Sequence, residues 1–254
     1  KVPEIKTGEF VKNIEFEIDT KSEDFDTDFR ISSVNSIHEN TEDRNYLLNQ
    51  TNISRQSDDT TINFGFINRK LSEDKNWIYG FNLFLDHEFP ADHQRASLGM
   101  EIKSQPLEFN MNYYEGLSES KTVGSSTEKV MDGVDYELGI QIPYIPSSKL
   151  FVSGYEWEGE NYDVKDGKKL SLKIKPNKHL SIEIGVDDNN RYTDSVTTGK
   201  IVYNFYPDES VSSEIFSDEM FKHTNMSKNL YDTVRRQNRI VKTVSGTVTV
   251  ARGT

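Results

Sequence analysis

The chain contains no cysteine, which excludes a disulfide framework, thiol catalysis and any Cys-based metal site. No run approaches the roughly 18 apolar residues that a membrane-crossing helix needs. Apolar residues are scarce altogether, at 34% with a mean hydropathy of −0.71. That is little for 254 residues that must bury a core of their own. The net charge is −12, spread along the chain, and there is no electrostatic footprint for nucleic acid. KVPEIKTGEFVKN does not read as a signal peptide, so the expectation is that one has been removed, because the reading below requires export. Nucleophile elbows, triad spacings and phosphate-cradling loops do not occur.

What the chain does have is alternation with a period of two. Between residues 60 and 102, Ile62, Phe64 and Phe66 alternate with Asn63, Gly65 and Ile67. Trp77, Tyr79, Phe81 and Leu83 alternate with Ile78, Gly80, Asn82 and Phe84, and Leu98, Met100 and Ile102 with Ser97, Gly99 and Glu101. One face of each strand is thus apolar and the other polar or small. The same pattern recurs at 8–20, 26–37, 107–115, 134–144, 149–158, around 170–174, at 180–187 and around 201–205. A further segment at 46–56 alternates poorly. The sum is about twelve strands.

A soluble sandwich and a barrel in lipid share this alternation, and connection length separates them. From the sixth strand onward the links run short, long, short, long: 104–106, 116–133, 145–148, 159–168, 176–178 and 188–199. Outer-membrane barrels sort their loops in this way, with the short turns periplasmic. In hydrocarbon every backbone polar group needs a partner, so only helices and closed sheets can cross. The prediction is a closed 12-stranded antiparallel transmembrane β-barrel over residues 1–207. Trp77, Tyr79, Phe81, Leu83, Leu138, Ile140, Ile182 and Ile184 are expected to face lipid. Glu101, Glu108, Asp135, Glu137 and Glu183 are expected to face the lumen, among cations such as Arg69, Lys103, Lys173 and Lys175.

Residues 208–254 break the pattern. LYDTVRRQNRIVK places Leu230, Val234 and Val241 at roughly helical spacing and gathers Arg235, Arg236, Arg239 and Lys242, before TVSGTVTVARGT reads as extended. Several stretches, in order, resemble the intimin/invasin β-domain, that of the inverse autotransporters. They are Asn63-Phe64-Gly65-Phe66, the run from Asn76 to Phe84 followed by Asp86, His93 and Arg95, and Leu98-Gly99-Met100-Glu101. Asn112-Tyr113-Tyr114, Gly133-Val134-Asp135-Tyr136 and Leu230 to Val241 complete the set.

The resemblance implies a barrel in the bacterial outer membrane that anchors and exports a C-terminal adhesin-type passenger. Residues 208–254 would be a partly helical linker threading the lumen towards a passenger that is absent or truncated. Its lumen residues would be Leu230, Tyr231, Asp232, Val234, Arg235, Arg236, Asn238 and Arg239. The expected partners are outer-membrane lipid, the barrel-assembly machinery, for which Tyr203 and Phe205 on the last strand are suited, and a host or surface receptor reached through the passenger. From the residues themselves comes a further expectation, that Arg235, Arg236 or Arg239 pairs with lumen carboxylates in a confined space.

Two rival functions stay open, a passenger-less diffusion pore or structural barrel and a secreted soluble β-sandwich binding protein. A metal site is conceivable only where His87, Glu88, Asp92 and His93 cluster beside Asp86. A wet hairpin rim explains those residues as well, and no metal, cofactor or catalytic residue is assigned.

Overall fold

The computed structural model describes residues 10–22, 27–159, 164–205 and 215–246. Twelve strands close into one antiparallel barrel. They are β1 (Val11–Lys21), β2 (Thr27–Asn40), β3 (Asn45–Gln56), β4 (Asp59–Leu71), β5 (Ile78–Phe89), β6 (His93–Lys103), β7 (Leu107–Gly116), β10 (Asp132–Ile142), β11 (Ile145–Glu158), β12 (Val164–Ile174), β13 (Leu180–Asn189) and β14 (Val196–Asn204). Each pairs with its sequence neighbour, and β14 closes onto β1 through seven register pairs from Glu15↔Asn204 to Lys21↔Thr198.

The link between β7 and β10 carries a hairpin, β8 (Lys121–Val123) and β9 (Ser126–Val130). A last strand, β15 (Lys242–Gly246), adds to β9 and makes a separate three-stranded sheet. Within the polar link 116–133 this hairpin is too short for alternation to reveal. At the opposite end of the barrel the turns are short, as at 104–106 and 143–144.

The outward face is apolar. Tyr79, Phe81, Leu83, Leu138, Ile140 and Ile184 are exposed, from 39% for Leu138 to 66% for Phe81. Trp77 lies in the turn before β5 and, like Ile182, is half-buried. A water-soluble fold would have buried most of these side chains in its core. No helix among the described residues is long and apolar enough to cross a membrane, which does not bear on a chain that crosses with strands.

The inward face is polar for most of the circumference, with Asn52, Asn63, Arg69, Arg95, Glu101 and Asn112 all buried. One sector is not. Val34, Tyr46, Leu48, Ile67, Leu71, Ile78 and Phe84 form an apolar cluster inside the barrel. This explains the poor alternation of β3, where Tyr46 and Leu48 are apolar residues on the inward parity.

Candidate functional site

The barrel interior holds the segment from Met226 to Lys242. It enters at the short-turn end, where the Met226 amide donates to the Lys75 carbonyl at 2.7 Å, in the turn between β4 and β5. Met226, Leu230 and Val234 then complete the apolar cluster of β2 to β5. At the other end the Lys242 ammonium meets Glu88 at 2.6 Å, Glu128 at 3.0 Å and Asp59 at 3.1 Å.

The linker expected to be partly helical forms no helix over 230–241. Only a four-residue 3-10 turn, Met226–Asn229, is helical here, capped by the Asn225 side chain, which accepts from the Ser227 amide. The physical reason lies in the wall. A non-helical segment leaves its N–H and C=O groups without local partners, and a buried one without any costs about 1–3 kcal/mol. Here the strands provide them. Arg69 donates to the carbonyls of Leu230 and Asp232, both at 2.6 Å, and Asn13 to that of Tyr231 at 3.0 Å. Gln50 accepts from the Val234 amide at 2.9 Å, and the Tyr114 hydroxyl from the Gln237 amide at 2.7 Å. Asn112, Arg95 and Asn63 donate to the carbonyls of Arg235, Gln237 and Asn238 at 3.1, 2.7 and 2.8 Å. Five strands (β1, β3, β4, β6 and β7) thereby grip the backbone itself, whatever the side chains of the segment.

Two arginines of the segment are held in the same way on opposite walls. Arg236 makes a two-pronged ion pair with Asp86 at 3.0 and 2.7 Å and lies over the Phe84 ring at 4.4 Å. Arg235 bonds to Glu137 and Glu183 and lies over the Phe151 ring at 4.1 Å. Each ring in turn covers a glycine directly opposite on the neighbouring strand, Phe84 over Gly65 and Phe151 over Gly139. A Cβ on either glycine would fall 2.4 or 2.3 Å from ring carbon, so the ring can lie flat only above glycine. Arg239 is less engaged, 4.0 Å from Asp28 and 37% exposed.

The remaining expected carboxylates are spoken for by the wall. Glu101 pairs with Arg69 and Lys103, Glu108 with Lys149 at 3.2 Å, and Asp135 accepts from Asn112 and Tyr114, each at 2.7 Å. Of the linker residues named from the sequence, Tyr231 donates its hydroxyl to Glu39 at 2.8 Å, and the side chain of Asp232 accepts from Asn229 at 2.9 Å. Asn238 is buried and accepts from Asn52 at 3.0 Å.

Sequence reasoning missed the two deepest anchors. Asp86 was placed at a hairpin rim, yet it is buried and shared by Arg236 and Arg95. The asparagine ladder of Asn52, Asn63 and Asn112 sat on the correct parity, but nothing in parity signals that it would hold a backbone. The His87 cluster does not converge. His87 turns towards Asp92, while Glu88 and His93 face inward to Lys242 and Glu128. Among the described residues no three His, Asp or Glu side chains could share a metal ion.

The family model described as inverse autotransporter, beta-domain, matches residues 7–238. The chain belongs to the inverse autotransporter family. A putative attaching and effacing protein homolog of Escherichia coli K12 is 30% identical over 140 residues, which is 51% of this chain and 47% of that protein. The chain thus spans about half the length of the curated relative it matches. A solved structure from work on the in-meso crystallization of membrane proteins superposes with a TM-score of 0.74 at 16% identity, over 92% of this chain and all of the other. A KdgM porin does so at 0.52 and 9% identity, over 75% of this chain and 98% of its own. At these identities the two structures speak for the barrel fold alone. This inverse autotransporter domain is a bacterial outer-membrane barrel, and its outward apolar band lies in lipid.

Proposed function

We propose that the barrel anchors and exports a polypeptide joined to its C-terminal end, with residues 208–254 as the linker that crosses the lumen. The observation that carries this reading is the backbone grip on residues 230–238. A wall that binds main chain rather than side chains tolerates many sequences in transit and then retains the last one that fits. The segment's own Arg235 and Arg236 supply that fit, each paired with wall carboxylates and lying over a wall ring.

The adhesive role belongs to the passenger in this reading, and so does any host or surface receptor. The barrel-assembly machinery is the partner proposed for insertion, through the exposed Tyr203 and Phe205 at the end of β14. No catalytic step is assigned to the barrel. The test is to fuse a folded reporter domain after Thr254 and to apply protease to intact cells. Export predicts a reporter cleaved from outside. A reporter protected until the outer membrane is broken would contradict it.

A pore is the second reading, favoured by one feature: a cavity of about 1130 Å³ lies beside the enclosed segment.

A further inference from the structure

The enclosed segment does not fill the lumen evenly. It packs against β2 to β5 through the apolar cluster, and the cavity of about 1130 Å³ lies on its other side, against β10 to β14 and β1. The cavity reaches from Lys175, Lys178 and Asn204 at the short-turn end to Lys165, Arg191 and Lys242 at the long-loop end. It therefore runs the height of the barrel.

Its lining inverts the charge of the protein. The chain has 42 Asp and Glu against 30 Lys and Arg. Among the described lining residues there are eighteen Lys and Arg and nine Asp and Glu. The enclosed segment does not neutralise the wall, because from Leu230 to Lys242 it carries Asp232 against Arg235, Arg236, Arg239 and Lys242. Two wall cations, Lys173 and Lys175, also stand apart from the ion pairs. Among the described residues, none places a carboxylate within 4 Å of Lys173 or Lys175. Positive charges facing one another across a narrow passage with low-dielectric walls focus their field and concentrate counter-ions. Rings of Lys and Arg select anions in pores of this kind.

We propose that the passage between the enclosed segment and the β10–β14 wall conducts small inorganic anions in preference to cations. This rests on the barrel and its occupied lumen and holds whether or not a passenger is exported, so the reporter fusion and the test below can fail separately.

The test is single-channel recording on the purified full chain in planar bilayers under a KCl gradient, with folding checked by heat-modifiable migration on a gel. The expected result is a small conductance whose reversal potential has the sign of the chloride equilibrium potential. Changing Lys173→Gln and Lys175→Gln together shifts that potential towards zero, whereas Lys70→Gln on the outward face leaves it unchanged. A folded barrel without conductance, a reversal potential at zero, or one with the potassium sign would each overturn the proposal.

Discussion

Arg236 and Asp86 form a two-pronged ion pair, 3.0 and 2.7 Å, that solvent does not reach at either side chain. Asp86 lies between two guanidinium groups, since Arg95 also donates to it at 2.9 Å. Breaking a buried pair by removing one partner costs about 3–5 kcal/mol, because the other charge is left uncompensated. Arg236→Gln leaves Asp86 with Arg95. Asp86→Asn leaves two buried cations with no carboxylate between them. The expected order of destabilisation is therefore D86N beyond R236Q, measured as a lower urea midpoint for unfolding from lipid vesicles.

A second prediction concerns the glycines beneath the stacked rings. Gly65→Val must displace Phe84, since a Cβ would lie 2.4 Å from the ring, and with it the surface on which Arg236 rests. Overpacking of this kind costs about 1–3 kcal/mol. Gly124 has nothing within 4 Å of an added Cβ, but its φ of 62° favours glycine, so it is no control for space. The better comparison is Gly199→Ala, where the Cβ would meet only a Thr20 methyl at 3.5 Å. The urea midpoint should fall for G65V and stay near the parent for G199A.

At the long-loop end, Lys242 ties β15 to Glu128 of β9, and His93 of β6 meets the same carboxylate. Burial pushes the Glu128 carboxyl up, but hydrogen bonds from Lys242 and His93 outweigh it and hold Glu128 below its ordinary 4.5. Burial likewise pulls Lys242 down, and hydrogen bonds from Glu88 and Glu128 outweigh it and raise Lys242 above its ordinary 10.5. A depressed carboxylate stabilises above its unfolded value and loses that contribution as pH falls through its folded one. A raised ammonium stabilises below its unfolded value and loses it as pH rises through its folded one. The β9–β15 pairing should hold between pH 4.5 and 10.5, the ordinary values of the two groups, and loosen as acid takes Glu128 through its lowered folded value. Spin labels at Thr127→Cys and Ser245→Cys, opposite each other in register, should show a single short distance that broadens in acid.

Much of the barrel was legible because closure in lipid fixes the parity of every strand. Tyr79, Phe81, Leu138 and Ile184 could be assigned outward from neighbours two residues away. Parity fails where the inside is apolar, as at Tyr46 and Leu48 on β3, since both faces then look alike. It is also silent on depth. Asp86 and Glu88 share one face of β5, yet one is a central anchor and the other meets the exit at Lys242. The lining of the cavity was out of reach for a third reason. It depends on which wall the segment leans against, and that is set by Leu230 and Val234 joining the apolar cluster of β2 to β5.

The outward band gives a prediction of its own. Leu83→Arg places a cation on the lipid face, where the penalty at mid-bilayer is about 2–4 kcal/mol. In a water-soluble body an exposed leucine would accept arginine at little cost, usually within about 0.5 kcal/mol. A urea midpoint in vesicles that is unchanged for L83R would remove Leu83 from the lipid.

The enclosed segment has one direction through the barrel, entering beside Lys75 and leaving beside Glu88. The absence of cysteine allows single sites to be read without background. A membrane-impermeant maleimide applied to intact cells should label Ser245→Cys and leave Met220→Cys unlabelled until the outer membrane is opened. Labelling of Met220→Cys alone would contradict the path through the barrel.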